Sequence, residues 1–346
     1  ILSAIAAGAR QGVLFKGGAH VERLAQVKVV AFDKTGTLTV GKPLVTDVSP
    51  LDGVSEAELL ATAAAVENRS EHPLAQAVVA AAHQRSLDIP EATDLQAAPG
   101  RGVTARLNGQ MVYIGTERYL QDNGYAVSRA LLEQIDSLET QGKTVMLVGD
   151  AGAGSASAGR LLGLIAVADT LRPEAAQAVA GLKAAGVERV VMLTGDNTRV
   201  AEAIGAQVGI DQVEAELLPE EKLAVIKDLV TRYGQVAMVG DGVNDAPAMA
   251  SADIGIAMGA GGTDVALETA DVVLMASDLS RLPYALDLSR RAMRVVRQNL
   301  AFALAVIAVL IVSTFFGVVS LPVGVVGHEG STVIVVLNGL RLLRGR

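Results

Sequence analysis

Three short stretches of this 346-residue sequence place oxygen-bearing side chains directly behind apolar runs. The first is DKTGTLT, residues 33–39, which follows VKVVAF at 27–32. The second is TGDN at 194–197, behind the run at 189–193. The third is GDGVNDAPA at 240–248, behind the run at 235–239. A β-branched, nearly continuous apolar run reads as a strand covered on both faces, and turn residues follow each one at once. Asp33, then Thr194, Gly195 and Asp196, then Asp241, Asn244 and Asp245 therefore fall at strand ends, where open α/β sheets hold their ligands. A lone Asp33 would read as a turn cap. Three such motifs in this order read as one site. Crowded carboxylates repel unless a cation lies among them, and hard oxygen donors suit Mg²⁺, which a substrate phosphate often completes. Glycines 36, 195, 240 and 242 let the backbone approach that phosphate closely. Lys222, early in the helix after Pro219, supplies a point charge for the same group.

The elements that must position these residues alternate. Runs at 27–32, 161–168, 189–193, 235–239, 253–257 and 271–275 read as strands, and amphipathic segments at 172–185 and 219–232 fall between several of them. That alternation predicts a doubly wound parallel sheet. Residues 44–160 interrupt it with two helical stretches (55–67 and 72–85) and shorter strands at 102–107, 110–115 and 143–149. This block is expected to be a second, α+β domain inserted after the first strand. The small-residue segment AGAGSASAGR (151–160) reads as a flexible hairpin, and QGKT (141–144) lacks the upstream glycine of a phosphate loop.

The ends of the chain add a membrane. Residues 300–327 carry no charge, and an apolar run resumes through 331–340. A spanning helix needs about 20 apolar residues, so 299–318 and 321–340 are each expected to cross, with a reversal at Ser320 and Pro322. Arg290, Arg291, Arg294 and Arg297 precede the pair, and Arg341, Arg344 and Arg346 follow it, which puts both outer ends in the cytoplasm. The opening residues, to about 12, read as the cytoplasmic end of another membrane helix. The net charge of -8 gives no basic excess, so nucleic acid is not an expected partner. With no cysteine, disulfides and thiolate metal ligands are excluded.

DKTGTLT, TGDN and GDGVNDAPA resemble the phosphorylation-domain motifs of P-type ATPases, a branch of the haloacid dehalogenase superfamily, and the resemblance extends over almost the whole chain. It implies a phosphorylation domain from 13–43 and 161–285, a nucleotide-binding domain at 44–160, and two transmembrane helices within 286–346. It implies that Asp33 attacks the γ-phosphate of ATP to form an aspartyl phosphate. Asp33, Asp241 and the Thr35 carbonyl would hold Mg²⁺; Thr194 and Lys222 would bind the phosphoryl oxygens, Asn244 and Asp245 would complete the site, and Lys34, Gly195 and Asp196 belong to the same catalytic set. Phosphatases of the superfamily carry a second aspartate two residues after the nucleophile as general acid/base. Thr35 stands there in this chain, so the phosphoenzyme is expected to persist.

Within the insert, ENRSEHPLAQAVV (67–79) and PGRGV (99–103) resemble the adenine-binding set of the heavy-metal, type IB, branch, with Glu67, His72, Gly100 and Gly102 as its members. In the last apolar segment, GHEGST puts His328, Ser331 and Thr332 on one helix face, with Glu329 beside them. Ionisable residues at membrane depth are functional by default. Nitrogen and oxygen ligands favour divalent first-row ions, and the motif resembles the cobalt/zinc/iron-exporting subgroup. The same glycines and serine could also form a helix-packing seam. No TGE actuator loop and no earlier Cys/Ser-Pro-Cys helix occur in these residues, so the chain is expected to be part of a longer pump, resident in the bacterial plasma membrane with its catalytic domains cytoplasmic. The alternative from another class is a membrane-anchored, Mg-dependent phosphatase or non-pumping ATP-binding module.

Overall fold

The computed structural model describes residues 1–51, 53–70, 72–98, 100–151, 159–242, 245–259, 268–317 and 321–343. Its strands, in chain order, are β1 (Val13–Phe15), β2 (Val29–Asp33), β3 (Leu44–Pro50), β4 (Thr93–Ala98), β5 (Gly102–Leu107), β6 (Gln110–Gly115), β7 (Thr144–Asp150), β8 (Arg160–Ala168), β9 (Arg189–Leu193), β10 (Gln212–Glu214), β11 (Val236–Gly240), β12 (Ile254–Met258) and β13 (Val272–Leu274). They form a seven-stranded sheet ordered β1-β13-β12-β11-β2-β9-β10 and a six-stranded sheet ordered β3-β8-β7-β6-β5-β4. The chain divides into two compact units.

The first unit comprises Ile1–Asp33, Glu174–Val191 and Glu221–Arg346. In it β11 lies parallel between β2 and β12, β13 continues the parallel set, and β1 closes the edge antiparallel. Strands β2, β11 and β12 are buried along their whole length, as expected of parallel strands covered on both faces. Because β2 and β11 are adjacent and parallel, Asp33 and the Gly240–Asp241 turn emerge at the same edge.

The helix Arg281–Phe315 begins well before the expected membrane span. Its first half buries Leu282, Ala285, Leu286, Leu288, Ser289 and Ala292 against the unit. Arg290, expected only as a flanking charge, donates to the carbonyls of Ala25 (3.3 Å) and Val27 (3.1 Å), in the segment that leads into β2. Its second half and the helix Leu321–Leu340 are long and apolar enough to cross a membrane. Phe315 is 86% exposed and Val326 73%, exposure that water would penalise and hydrocarbon would not. Asn338 Nδ2 donates to Asn299 Oδ1 (2.8 Å), and Asn299 Nδ2 to the Val335 carbonyl (3.2 Å), joining the two helices. Of the expected reversal, Pro322 is the second residue of the last helix, and Ser320 lies outside the described residues.

The second unit comprises Lys34–Pro173 and Met192–Glu220. Its six-stranded sheet is antiparallel throughout. Helices Glu56–Glu67 and Pro73–Gln84 cover one face, packing with Met146, Val148, Ile165 and Val167. Helix Arg129–Thr140 and Tyr119 cover the other, packing with Val145, Leu147, Leu164 and Ala166. Successive residues of β7 and β8 thus enter opposite cores, as the two-residue repeat of a strand requires. This corrects the expectation for 161–168: that run is not a strand of the parallel sheet but the antiparallel neighbour of β3 and β7. Most of the segment 151–160, expected as a hairpin loop, lies outside the described residues.

Candidate functional site

The carboxyl end of β2 delivers Asp33, 4% exposed. Lys222, near the start of helix Pro219–Tyr233, reaches it: Nζ lies 2.5 Å from Asp33 Oδ1 and 3.0 Å from Asp245 Oδ1. One ammonium therefore bridges two buried carboxylates. Gly240 has to be glycine for this packing, because a Cβ there would lie 2.9 Å from Asp245 Oδ2. Burial pushes the Asp33 carboxyl up to about 7; the charges of Asp245 and Asp241 add to the effect and Lys222 opposes it. Burial likewise raises Asp245, against the pull of Lys222. Burial works against the Lys222 charge, yet Asp33 and Asp245 together hold it above the ordinary ammonium range. Three carboxylates thus influence one another around the Lys222 ammonium. The carboxylate oxygens of such a set are hard donors of the kind that suits a divalent cation such as Mg²⁺. Asn244 lies outside the described residues.

In the second unit, Lys34 is 7% exposed and its Nζ lies 2.5 Å from Asp196 Oδ2, so the first and second motifs meet in a buried ion pair. Thr35 is extended (φ -76°, ψ 126°) and Gly36 left-handed (φ 75°), a conformation that favours glycine. Thr194 is 2% exposed; its N–H donates to the Glu214 carbonyl and its Oγ1 accepts from the Asp196 N–H at 3.1 Å, which curls Gly195 into a tight turn. Asn197 Oδ1 then caps the helix Thr198–Val208 at the Val200 N–H (2.9 Å).

Sequence reasoning missed two residues that shape the loop after Asp33. The Asp169 carboxylate accepts from Thr39 Oγ1 (2.5 Å) and from the N–H groups of Gly41 and Lys42 (both 3.1 Å). Arg172 donates to the carbonyls of Thr37 (2.9 Å) and Gly36 (3.1 Å). An Asp and an Arg three residues apart just past β8 were the only available signal. Their partners lie about 130 positions away, which no local pattern reveals.

The nucleotide candidates share the second unit. Glu67 closes its helix with 8% exposure, and burial raises its carboxyl to about 7 against a Ser70 hydrogen bond. His72 caps the helix Pro73–Gln84, its Nδ1 accepting from the Leu74 N–H at 3.3 Å. Burial lowers the His72 ring and the Asp196 charge raises it. Gly100 is left-handed (φ 70°) with open space where a side chain would stand. Gly102 begins β5, crowded by the Ile114 carbonyl and the Tyr119 ring.

In the last helix, Ser331 Oγ (2.6 Å) and Thr332 Oγ1 (3.3 Å) both donate to the His328 backbone carbonyl. Ser331 is 8% exposed, whereas His328, Glu329 and Thr332 are open to the surroundings.

A profile of haloacid dehalogenase-like hydrolases matches residues 27–253, and the chain belongs to that family. Within it, relatives that match over the whole chain include heavy-metal-transporting P-type ATPases. A probable cadmium-transporting ATPase of Staphylococcus aureus is 42% identical over 99% of this chain and 42% of its own length. A zinc-transporting ATPase of Bacillus subtilis is 44% identical over 99% of this chain and 52% of its own. The manganese-exporting P-type ATPase of Mycobacterium tuberculosis is 43% identical over the full chain and 47% of its own. Among solved structures, a zinc-transporting PIB-type ATPase in the E2.Pi state superposes with a TM-score of 0.74 at 46% identity, over 99% of this chain and 54% of that one. The chain spans about half the length of the curated relatives it matches.

Proposed function

We propose that this chain is the catalytic and carboxyl-terminal membrane part of an ATP-driven exporter of a divalent transition-metal cation, working through an aspartyl phosphate on Asp33. The observation that carries the reading is the Lys222 ammonium bridging Asp33 and Asp245 at the strand ends. A carboxylate kept desolvated beside a single cation is poised as a nucleophile rather than as a turn cap. An Asp33 oxygen attacks the γ-phosphorus of ATP, the bond to the β–γ bridging oxygen breaks, and ADP leaves. Asp33, Asp241 and the Thr35 carbonyl would hold Mg²⁺, which when bound neutralises charge on the phosphoryl oxygens. Lys222 balances the carboxylates, while Thr194, Gly195, Asn244 and Asp245 complete the phosphate's surroundings. Lys34 and Asp196 fix each other. Thr35 offers no proton-shuttling carboxyl, so water is activated slowly and the phosphoenzyme waits.

Glu67, His72, Gly100 and Gly102 are assigned to the adenine nucleotide. His328, Glu329, Ser331 and Thr332 are assigned to the transported ion. The cadmium, zinc and manganese in the relatives' names support a divalent cargo, and zinc is common to that set and to the cobalt/zinc/iron class implied by HEGST. The bacterial sources of those relatives, with two helices fit to cross a bilayer, support the plasma membrane as its site. The test is acid-quenched labelling with γ-labelled ATP and Mg²⁺. Hydroxylamine-sensitive label that Asp33→Asn abolishes is the expected result. Phosphate release without retained label refutes the pump reading in favour of a phosphatase.

A further inference from the structure

Gly100 and Gly102 are glycines for different reasons. Gly100 is left-handed and open. Gly102 stands opposite Gly115 across the β5–β6 pairing. A Cβ on Gly102 would lie 2.3 Å from the Ile114 carbonyl oxygen and 2.5 Å from the Tyr119 ring; one on Gly115 would lie 2.7 Å from the same ring. The aromatic ring thus lies across a cross-strand glycine pair and fills the space of two missing side chains, which stiffens an otherwise weak stretch of sheet.

The residue between the glycines is tied to the same ring. The Arg101 guanidinium lies 5.9 Å from the Tyr119 ring centroid and ion-pairs with Asp122, three residues further along the helix Glu117–Asp122. The Arg101 N–H donates to the Ala98 carbonyl (2.9 Å), closing the turn, and the Thr116 N–H donates to the Arg101 carbonyl (2.9 Å). Thr116 Oγ1 in turn accepts from the Tyr119 N–H at 3.2 Å. Backbone, ring and guanidinium therefore all anchor one turn to one short helix.

We propose that Tyr119 is a positioning residue for the adenine nucleotide: it fixes the 100–102 turn and holds the Arg101 side chain back, presenting the turn's bare backbone. The inference rests on the assignment of that turn to the ATP site. A turn with two glycines samples many conformations, and ordering it during binding lowers affinity. A ring already seated on it makes that ordering part of the fold.

The test is isothermal titration of the full chain in detergent with a non-hydrolysable ATP analogue and Mg²⁺, for Tyr119→Phe, Tyr119→Leu and Arg101→Gln. Tyr119→Leu is expected to raise Kd about tenfold, while Tyr119→Phe, which keeps the ring, stays within about twofold. Arg101→Gln is expected to raise Kd by about threefold. The maximal phosphoenzyme formed at saturating ATP stays at the wild-type level, a split that general damage to the fold would not give. Wild-type affinity in a folded Tyr119→Leu chain overturns the proposal; should that variant not fold, wild-type affinity in Arg101→Gln overturns it. Absence of binding by the wild type refutes the nucleotide assignment itself, a result distinct from either.

Discussion

Replacing Glu67 by Gln isolates the cost of a buried carboxylate. Glu67 is 8% exposed, and burial raises its carboxyl from 4.5 to about 7 despite the Ser70 hydrogen bond. Between those pH values the folded chain binds a proton that the unfolded chain has released. Stability therefore falls as pH rises through the window, and is flat on either side of it. The shift is about 2.5 units at about 1.4 kcal/mol each, so wild-type protein loses about 3 kcal/mol between pH 4.5 and pH 8 through this group. Gln keeps the shape without the charge. The difference between variant and wild type should accordingly be near zero at pH 4.5 and grow to about 3 kcal/mol in favour of the variant at pH 8. Urea unfolding of the full chain in detergent measures it. Tyrosine fluorescence reports on this unit, since the chain has no tryptophan and three of its five tyrosines, Tyr113, Tyr119 and Tyr125, lie there. Subtracting the two proteins at each pH cancels every other titrating group, Asp33 included. A gap independent of pH, or one that shrinks as pH rises, refutes the reasoning.

Lys222→Met leaves Asp33 and Asp245 facing each other without their shared ammonium. It should destabilise the chain by about 3–5 kcal/mol at pH 8 in urea unfolding and abolish acid-stable labelling. Asp169→Asn turns a charged acceptor of three separate groups into a neutral one. A loss of about 2 kcal/mol is expected, with slower phosphorylation at saturating ATP in quenched-flow measurements. Gly41→Ala forces a side chain onto a residue at φ 75° and sets its Cβ 2.9 Å from Gly36 Cα. It should cost at least about 1–2 kcal/mol and cut the phosphorylation rate about tenfold, while leaving nucleotide Kd near the wild-type value.

Much of the site is local chemistry and was legible in the chain. Asp33 behind 27–32 and the Gly240–Asp241 turn behind 235–239 read correctly, because a fully apolar run ended by turn residues has few alternatives to a buried strand and its exit. The Pro73–Gln84 helix, with His72 at its cap, was equally readable. Asp169 and Arg172 were not, because their meaning lies in carbonyls and N–H groups brought in from residues 36–42. Nor was Tyr119, whose significance depends on two glycines meeting across a strand pair.

The run at 161–168 marks the boundary most clearly. Its composition states that both faces are covered, and they are. It does not state by what, because two cores on either side of an antiparallel strand leave the same apolar record as helices on either side of a parallel one. Sequence alone determined which segments are buried, which end in turns bearing carboxylates and which suit a bilayer, since periodicity and side-chain type are properties of the chain itself. Strand partners, the ammonium shared by two aspartates and the ring seated on a glycine pair were decided by tertiary structure, since each needs groups distant along the chain to arrive at one point in space.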